Sequence, residues 1–315
     1  MDGTYSHSQP SRTPDGTSAS PGFIVVNAFG DEPFTGNPAA VFPDARGIPE
    51  EHLLPIARQL NLVKTVFLYP SPEPGVDYHL RYFMPEHEVP VAGHPTIAAW
   101  TALGFLGAIT VAEPSRFTQS NLAGKQEIRI EPAGGRLRVS MQQPAPRFTE
   151  IITDREKVAD VFGISTEDFL PDLPIIGVDA GLGHLVAPLR SLEALMRVRC
   201  RVAELRDYCR ALGLREAQLF CLETYRPGMD LHTRNICPRE GLEDPACGNG
   251  TGALGAYLAK FGGMTAQDGL LRAEQGHIVN MPSVIEITIE HRTSEDFTIW
   301  IGGGGVVMLE GRMLI

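Results

Sequence analysis

His94 and Asp244 are acid/base side chains set in two copies of one short pattern, about 150 residues apart. The first copy runs Arg81-Tyr-Phe-Met-Pro85-Glu-His-Glu-Val-Pro-Val-Ala-Gly93-His94-Pro-Thr96-Ile-Ala-Ala. The second runs Arg234-Asn-Ile-Cys-Pro238-Arg-Glu-Gly-Leu-Glu243-Asp244-Pro-Ala-Cys247-Gly248-Asn249-Gly250-Thr-Gly-Ala-Leu. Each copy starts at an Arg on a short apolar segment, passes a Pro-bearing acidic turn, and reaches a Gly-polar step that opens a small-residue helix. Two such copies predict two related halves. Packed face to face, they would point both helix N-termini and their polar residues into one cleft, suited to holding a carboxylate between opposed acid/base groups.

Each of these residues also has a plainer reading. Asp244 fits a polar helix-entry turn, and His94 fits an N-cap that bonds the next turn. Asn37 and the run Gly248-Asn249-Gly250 offer backbone N–H groups to an anion, although Gly-rich helix starts also serve packing alone. Arg81 and Arg234 are expected to brace the acidic turns rather than touch substrate. His52, His79, His87, His184, His232, His277 and His291 show no metal-ligand spacing, and no metal or cofactor is expected.

The elements that must position these groups read as α+β. Phe23–Phe29 and the run to Phe42, broken at Gly36-Asn37-Pro38, predict strand, turn and strand. Glu50–Leu60 has helical apolar spacing, and Val63–Tyr69 and His79–Met84 are β-rich. Thr96–Leu106 predicts a buried Ala-rich helix. A hairpin is expected over Glu127–Gln142 around Gly134-Gly135. Further on, helices are expected at Asp154–Phe162, Arg199–Leu212 and Gly252–Phe261. Strands are expected at Gly183–Ala187, Ala217–Glu223, Leu231–Cys237, Ile278–Met281, Ser283–His291, Phe297–Gly302 and Val306–Leu309. The order repeats. Residues 1–22 read as a disordered tail, 23–125 as the first domain, and 126–315 as the second, its C-terminal strand able to return to the first.

The 315 residues suffice for two domains with substantial cores, and 43% apolar with 21% charged content is ordinary for a globular protein. A net charge of −11 without any basic block argues against nucleic acid as partner, and the apolar stretches are too short for a membrane span. Cys200, Cys209, Cys221, Cys237 and Cys247 form no paired metal spacing, and an odd count without a signal segment points to a reducing cytoplasm.

Asn37-Pro38-Ala-Ala-Val41, Arg81-x-Phe83-x-Pro85-x-x-Glu88, Ala92-Gly93-His94-Pro95-Thr96, Glu243-Asp244-Pro245, Glu274-Gln275-Gly276 and Gly302-Gly303 together resemble the PhzF-like (phenazine biosynthesis) family, which is related to the diaminopimelate epimerases and proline racemases. The resemblance extends over nearly the whole chain from Phe23. It implies two similar domains, each a curled sheet or barrel around a central helix, with the active site between them, and a homodimer. Better-known members move a proton on a small carboxylate without a cofactor, using three acid/base positions. The His and the Asp correspond here to His94 and Asp244, with Asn37, Gly93, Thr96, Gly248, Asn249 and Gly250 as substrate contacts. The third, a Glu, corresponds to Lys64, which otherwise reads as an exposed lysine at a strand start. An ammonium in place of a carboxylate reverses the charge and takes a carbon-bound proton only where its surroundings lower its pKa. The paired thiols of the racemases are half present, with Cys247 in the second half but Ala92 at the matching place in the first, which does not support a two-thiol racemase. Cys247 reads either as packing or as a thiol whose pKa is lowered by the helix N-terminus, a base or nucleophile.

Three functions follow. One is an isomerase of secondary metabolism in which Asp244 and His94 move a proton on a small carboxylate or amino-acid-like compound. Another is a hydrolase of carbon–carbon bonds in which Lys64 polarises a carbonyl or forms a Schiff base and Asp244 or Cys247 handles water or proton. The last is a binding protein without catalysis.

Overall fold

A computed structural model describes residues 20–262, 269–291 and 296–315; the tail expected over residues 1–22 lies almost wholly outside the described residues. The first half comprises β1 (Gly22–Ala28), β2 (Asn37–Phe42), α1 (Glu50–Leu60), β3 (Lys64–Pro70), β4 (Tyr78–Phe83), β5 (Glu88–Val89), α2 (Gly93–Phe105), β6 (Ser115–Asn121), β7 (Gly124–Ala133) and β8 (Arg136–Gln142). There follow β9 (Arg147–Ile152), α3 (Arg155–Phe162), β10 (Ile175–Asp179), β11 (Gly183–Pro188), α4 (Leu192–Arg197), α5 (Val202–Ala211), β12 (Glu216–Cys221), β13 (Leu231–Cys237), β14 (Leu242–Asp244), α6 (Gly248–Phe261), β15 (Leu270–Gln275), β16 (Ser283–His291), β17 (Phe297–Gly303) and β18 (Gly305–Arg312).

The pairings repeat strand for strand. β1 lies antiparallel to β2 as β10 does to β11, and β2 parallel to β3 as β11 does to β12. β4 runs parallel to β6 as β13 does to β15, and the hairpins β6–β7–β8 and β15–β16–β17 close the two sheets. The strands leaving each half cross over: β9 joins β10, and β18 returns to pair with β1. β8 and β17 pair with each other and fuse the two curled sheets. The 125/126 boundary falls inside β7. Because β7 and β8 continue the sheet that wraps α2, we place the handover between the halves after β8.

Each sheet curls around one helix. α2 is buried on all sides from Gly93 to Leu103, and α6 from Gly250 to Leu258. Their small residues, Ala98, Ala99 and Ala102 in one and Gly252, Ala253, Gly255 and Ala256 in the other, let strands approach from every direction, which a one-faced amphipathic helix does not require. α1, by contrast, caps the outside of the first sheet on Leu53, Ile56 and Ala57, packed against Phe42, Phe67 and Phe83. Among the described residues no helix is long and apolar enough to cross a membrane.

The strand expected at Ile278–Met281 is instead a short 3-10 turn, His277–Val279, closed by left-handed Gly276 and Asn280. That turn redirects the chain from β15 into β16.

Candidate active site

The two repeated Gly-polar steps meet. A Cβ built on Gly93 would lie 3.1 Å from the Cα of Gly248, and one built on Gly248 would lie 3.2 Å from the Cα of Gly93. A Cβ at either position would force the facing backbone back by a few tenths of an ångström, so glycine at both permits this approach of two helix N-termini without adjustment. A cavity of about 170 Å³ opens beside the junction, lined from the first half by Lys64, Ala92, Gly93 and His94, and from the second by Glu216, Cys237, Asp244, Cys247, Gly248 and Asn249. Met84, Val89, Val91, Leu182 and Leu242 supply its apolar walls. Mostly apolar walls with a few convergent polar groups are the lining of a small-molecule site, and the volume restricts it to a small ligand.

Asn37, expected to contact substrate, does not line the cavity; it is fully buried at the start of β2 and holds residues that do. Its Nδ2 donates to Asp244 Oδ1 at 2.6 Å and to the Ala246 carbonyl at 3.0 Å, and stands 3.2 Å from His94 Nδ1. The carbonyl only accepts, so the amide group must face this way. Both amide hydrogens are thereby taken by oxygens and an amide nitrogen does not accept, so His94 Nδ1 turns its lone pair to Asn37 and the ring proton of the neutral imidazole sits on Nε2, a buried atom with no partner among the described residues. Burial, and then the charge of Lys64, hold His94 well below the usual imidazole range, so it is neutral.

Asp244 closes β14. Its Oδ1 accepts from the Ala246 N–H at 2.9 Å, and its carbonyl accepts from Gln275 Nε2 at 2.6 Å. Burial pushes its carboxyl up to about 6, the Ala246 N–H pulling against that rise and the charge of Glu216 adding to it. Such a carboxylate is ionised at neutral pH yet basic enough to take a carbon-bound proton.

Arg81 and Arg234 brace the acidic turns, as expected. Arg81 grips Glu88 at 2.8 and 2.7 Å, and Arg234 grips Glu243 at 2.7 Å through both nitrogens.

Other expectations shift. His94 is not an N-cap: α2 is capped at Ala92 with no side-chain bond, and the ring turns to Asn37. Thr96 faces away from the cavity, its hydroxyl donating to the Ala92 carbonyl at 2.8 Å and lying 2.6 Å from the Tyr82 hydroxyl. Gly250 also lies off the cavity, packed against the side chains of Gln218 and Asn235 with no space for a Cβ. Cys247 reaches the cavity, but its thiol is raised rather than lowered. Burial is the larger cause, and the charges of Glu216 and Asp244 outweigh the Gly250 N–H that donates to its Sγ at 3.3 Å. Ala92 faces the same cavity from the first half, so no second thiol opposes Cys247 across the junction.

Glu216, His184 and Cys237 escaped the sequence reading. Glu216 opens β12 at 8% exposure, with Oε2 3.0 Å from His184 Nε2 and 3.8 Å from the Cys247 thiol that donates to it. Burial raises the Glu216 carboxyl, but the hydrogen bond and charge of His184, together with the charges of Arg215 and Lys64, more than offset this and leave it below its ordinary value. A signal existed. Arg58-x-Leu60-x-Leu62-x-Lys64 and Arg210-x-Leu212-x-Leu214-x-Glu216 are one pattern in two copies, ending on the two charged residues that enter the cavity. His184, Glu216 and Cys247 bring ligand atoms within 4.8 Å of one another, as do Glu216, Cys237 and Glu240. They come together from distant strands, so linear metal spacing does not reveal them.

The phenazine biosynthesis-like protein family matches residues 26–311. An uncharacterized isomerase of Bacillus subtilis, YfhB, is 32% identical over 266 residues, 84% of this chain and 89% of that protein. The trans-2,3-dihydro-3-hydroxyanthranilate isomerase of Pseudomonas fluorescens is 28% identical over 93% of this chain and 99% of its own length. The crystal structure of the PhzF-family phenazine biosynthesis protein of Bacillus anthracis superposes with a TM-score of 0.84 at 26% identity, covering 95% of this chain and all of that one. The crystal structure of a probable proline racemase of Agrobacterium radiobacter shares the fold at a TM-score of 0.63 and 14% identity, covering 94% of this chain and 93% of that one. With two curled sheets, two buried helices and one cavity at their junction, the chain belongs to the phenazine biosynthesis-like (PhzF) family of isomerases and epimerases.

Proposed function

We propose that this protein is a cofactor-independent isomerase that moves a proton on a small carboxylate or amino-acid-like compound. The observation that carries the reading is the single amide of Asn37 reaching both Asp244 and His94 at the cavity floor. Asp244 takes the carbon-bound proton. His94 turns its Nε2–H toward the substrate atom on which charge develops, a donor held in place before the reaction starts. Lys64, half-buried and with no ion-pair partner among the described residues, meets the substrate carboxylate. A place in secondary metabolism and a homodimeric state belong to the same reading and rest on likeness to the family.

The test is proton NMR in D₂O with the wild-type protein and a panel of unsaturated, amino and β-dicarbonyl carboxylates that includes trans-2,3-dihydro-3-hydroxyanthranilate. Deuterium in an otherwise intact skeleton, lost about 10²–10⁴-fold in Asp244→Asn, supports the isomerase. Undiminished turnover in Asp244→Asn overturns it.

A second reading, hydrolysis of a carbon–carbon bond, is kept because Lys64 does reach the cavity beside Asp244. It requires release of an acid fragment in the same spectra. Neither exchange nor cleavage across the panel would favour a binding protein.

A further inference from the structure

Lys64 and Glu216 hold the same place in the two halves. Each opens the strand that follows its half's outer helix, β3 after α1 and β12 after α5. Each strand lies parallel to the strand before that helix, Lys64 beside Ala39 and Glu216 beside His184. Both residues line the one cavity beside the Gly93–Gly248 junction, Lys64 from the first half and Glu216 from the second. Across the pseudo-two-fold, the chain sets a cation against a carboxylate.

The carboxylate comes with a proton. His184 Nδ1 lies 2.8 Å from the Leu182 carbonyl, which only accepts, so Nδ1 carries a hydrogen. On the other side Nε2 lies 3.0 Å from Glu216 Oε2, and without a hydrogen between them two lone pairs would face each other in a dry wall, since the side chains are 0% and 10% exposed. The pair therefore holds one shared proton. Around it stand Asp244, Lys64, Cys247, Cys237, Arg215 and Glu240, all lining the same cavity.

We propose that Glu216, sharing a proton with His184, is the second proton-handling residue of this site: it returns to carbon the proton equivalent that Asp244 removes, while Lys64 holds the substrate carboxylate. The proposal rests on the isomerase reading. One C–H bond breaks as Asp244 becomes a carboxylic acid, the electron pair shifts along the substrate, and a new C–H bond forms with the shared proton, which leaves His184 Nε2 by way of Glu216 Oε2. His184 Nε2 is left with a lone pair. Return of the proton from Asp244 to solvent and from solvent to the pair completes a cycle with no net change in protons.

The two half-steps separate in D₂O. In wild-type protein with the carboxylate panel, deuterium enters both recovered substrate and product. Glu216→Gln keeps the side-chain shape but cannot relay the proton. It is expected to go on washing deuterium into recovered substrate through Asp244 while product formation falls about 10²–10⁴-fold. Glu216→Ala is expected to regain product formation with added formate, in proportion to its concentration. Product formed by Glu216→Gln at the wild-type rate overturns the proposal and leaves the isomerase standing. Loss of both wash-in and product with no rescue of Glu216→Ala by formate also overturns it, since Glu216 then acts only in folding. No exchange by wild-type protein on any member of the panel removes the isomerase reading and this proposal together.

Discussion

Gly93 and Gly248 are held so close that neither tolerates a Cβ without moving the other's backbone, at 3.1 and 3.2 Å. This is the hinge point of the active-site geometry, because Gly93 precedes His94 and Gly248 follows Cys247. Gly248→Ala is expected to cost about 1–3 kcal/mol by overpacking, measured by urea unfolding. Turnover should fall further than stability does, because a shift of about an ångström between catalytic groups costs on the order of a hundredfold. Equal activity per folded molecule would show that the contact serves packing alone.

Asn37 is expected to set the acid limb of the pH profile. Asp244, pushed up to about 6 by burial, is protonated and idle as a base below that pH, so kcat/KM should rise as pH increases through about 6. The Asn37 Nδ2 bond at 2.6 Å favours the ionised form. Asn37→Ala removes a hydrogen bond to a charge, of roughly 1.5–3 kcal/mol, and should move that limb up by about one to two pH units. A limb that stays in place would mean that another group governs it.

How far these relationships were legible in the sequence depended on whether they were local. Helix Glu50–Leu60 and strands Leu231–Cys237 and Ser283–His291 follow from spacing and β-branching, and their limits match the structure residue for residue. β15 did not, because Leu-Leu-Arg-Ala-Glu-Gln is built of helix-favouring residues and is a strand only between β13 and β16. β6 is polar on both faces, its Gln119 buried to bond Trp100 and Tyr82, so it lacks the alternation of a surface strand. The repeat exposed His94, Asp244 and Cys247. Glu216 lies outside that repeat and is marked only by the weaker Arg-x-Leu-x-Leu-x spacing it shares with Lys64, while its partner His184 is 32 residues away and meets it only through the parallel register of β11 and β12.

Cys247 is expected to react slowly with iodoacetamide at pH 8, since burial and the charges of Glu216 and Asp244 disfavour its thiolate. Glu216→Gln removes one of those charges and should speed alkylation at Cys247, followed by mass spectrometry of the labelled peptide. If the rate in Glu216→Gln equals that of the wild type, access alone limits the reaction.

The cofactor-independent reading also predicts that dialysis against EDTA leaves turnover unchanged. Loss of activity, restored by zinc and abolished again in His184→Gln, would instead make His184, Glu216 and Cys247 a metal centre, as their mutual distances of 4.8 Å or less permit.

Lys64 decides between the two chemistries. As an anchor for the substrate carboxylate it acts alike in ground state and transition state, so Lys64→Ala should raise KM about 10–100-fold with kcat little changed, the effect of losing one charge-assisted hydrogen bond. Lys64→Glu should be worse, because it places a like charge before the substrate. As a Schiff-base former Lys64 would have to bond the substrate carbonyl, so borohydride added during turnover would trap an adduct of protein plus substrate minus water plus two hydrogens, and Lys64→Ala would lose kcat rather than affinity. The absence of that adduct, together with a KM effect, is the outcome expected of a cation that lines the cavity to meet the substrate carboxylate while Glu216 handles the proton.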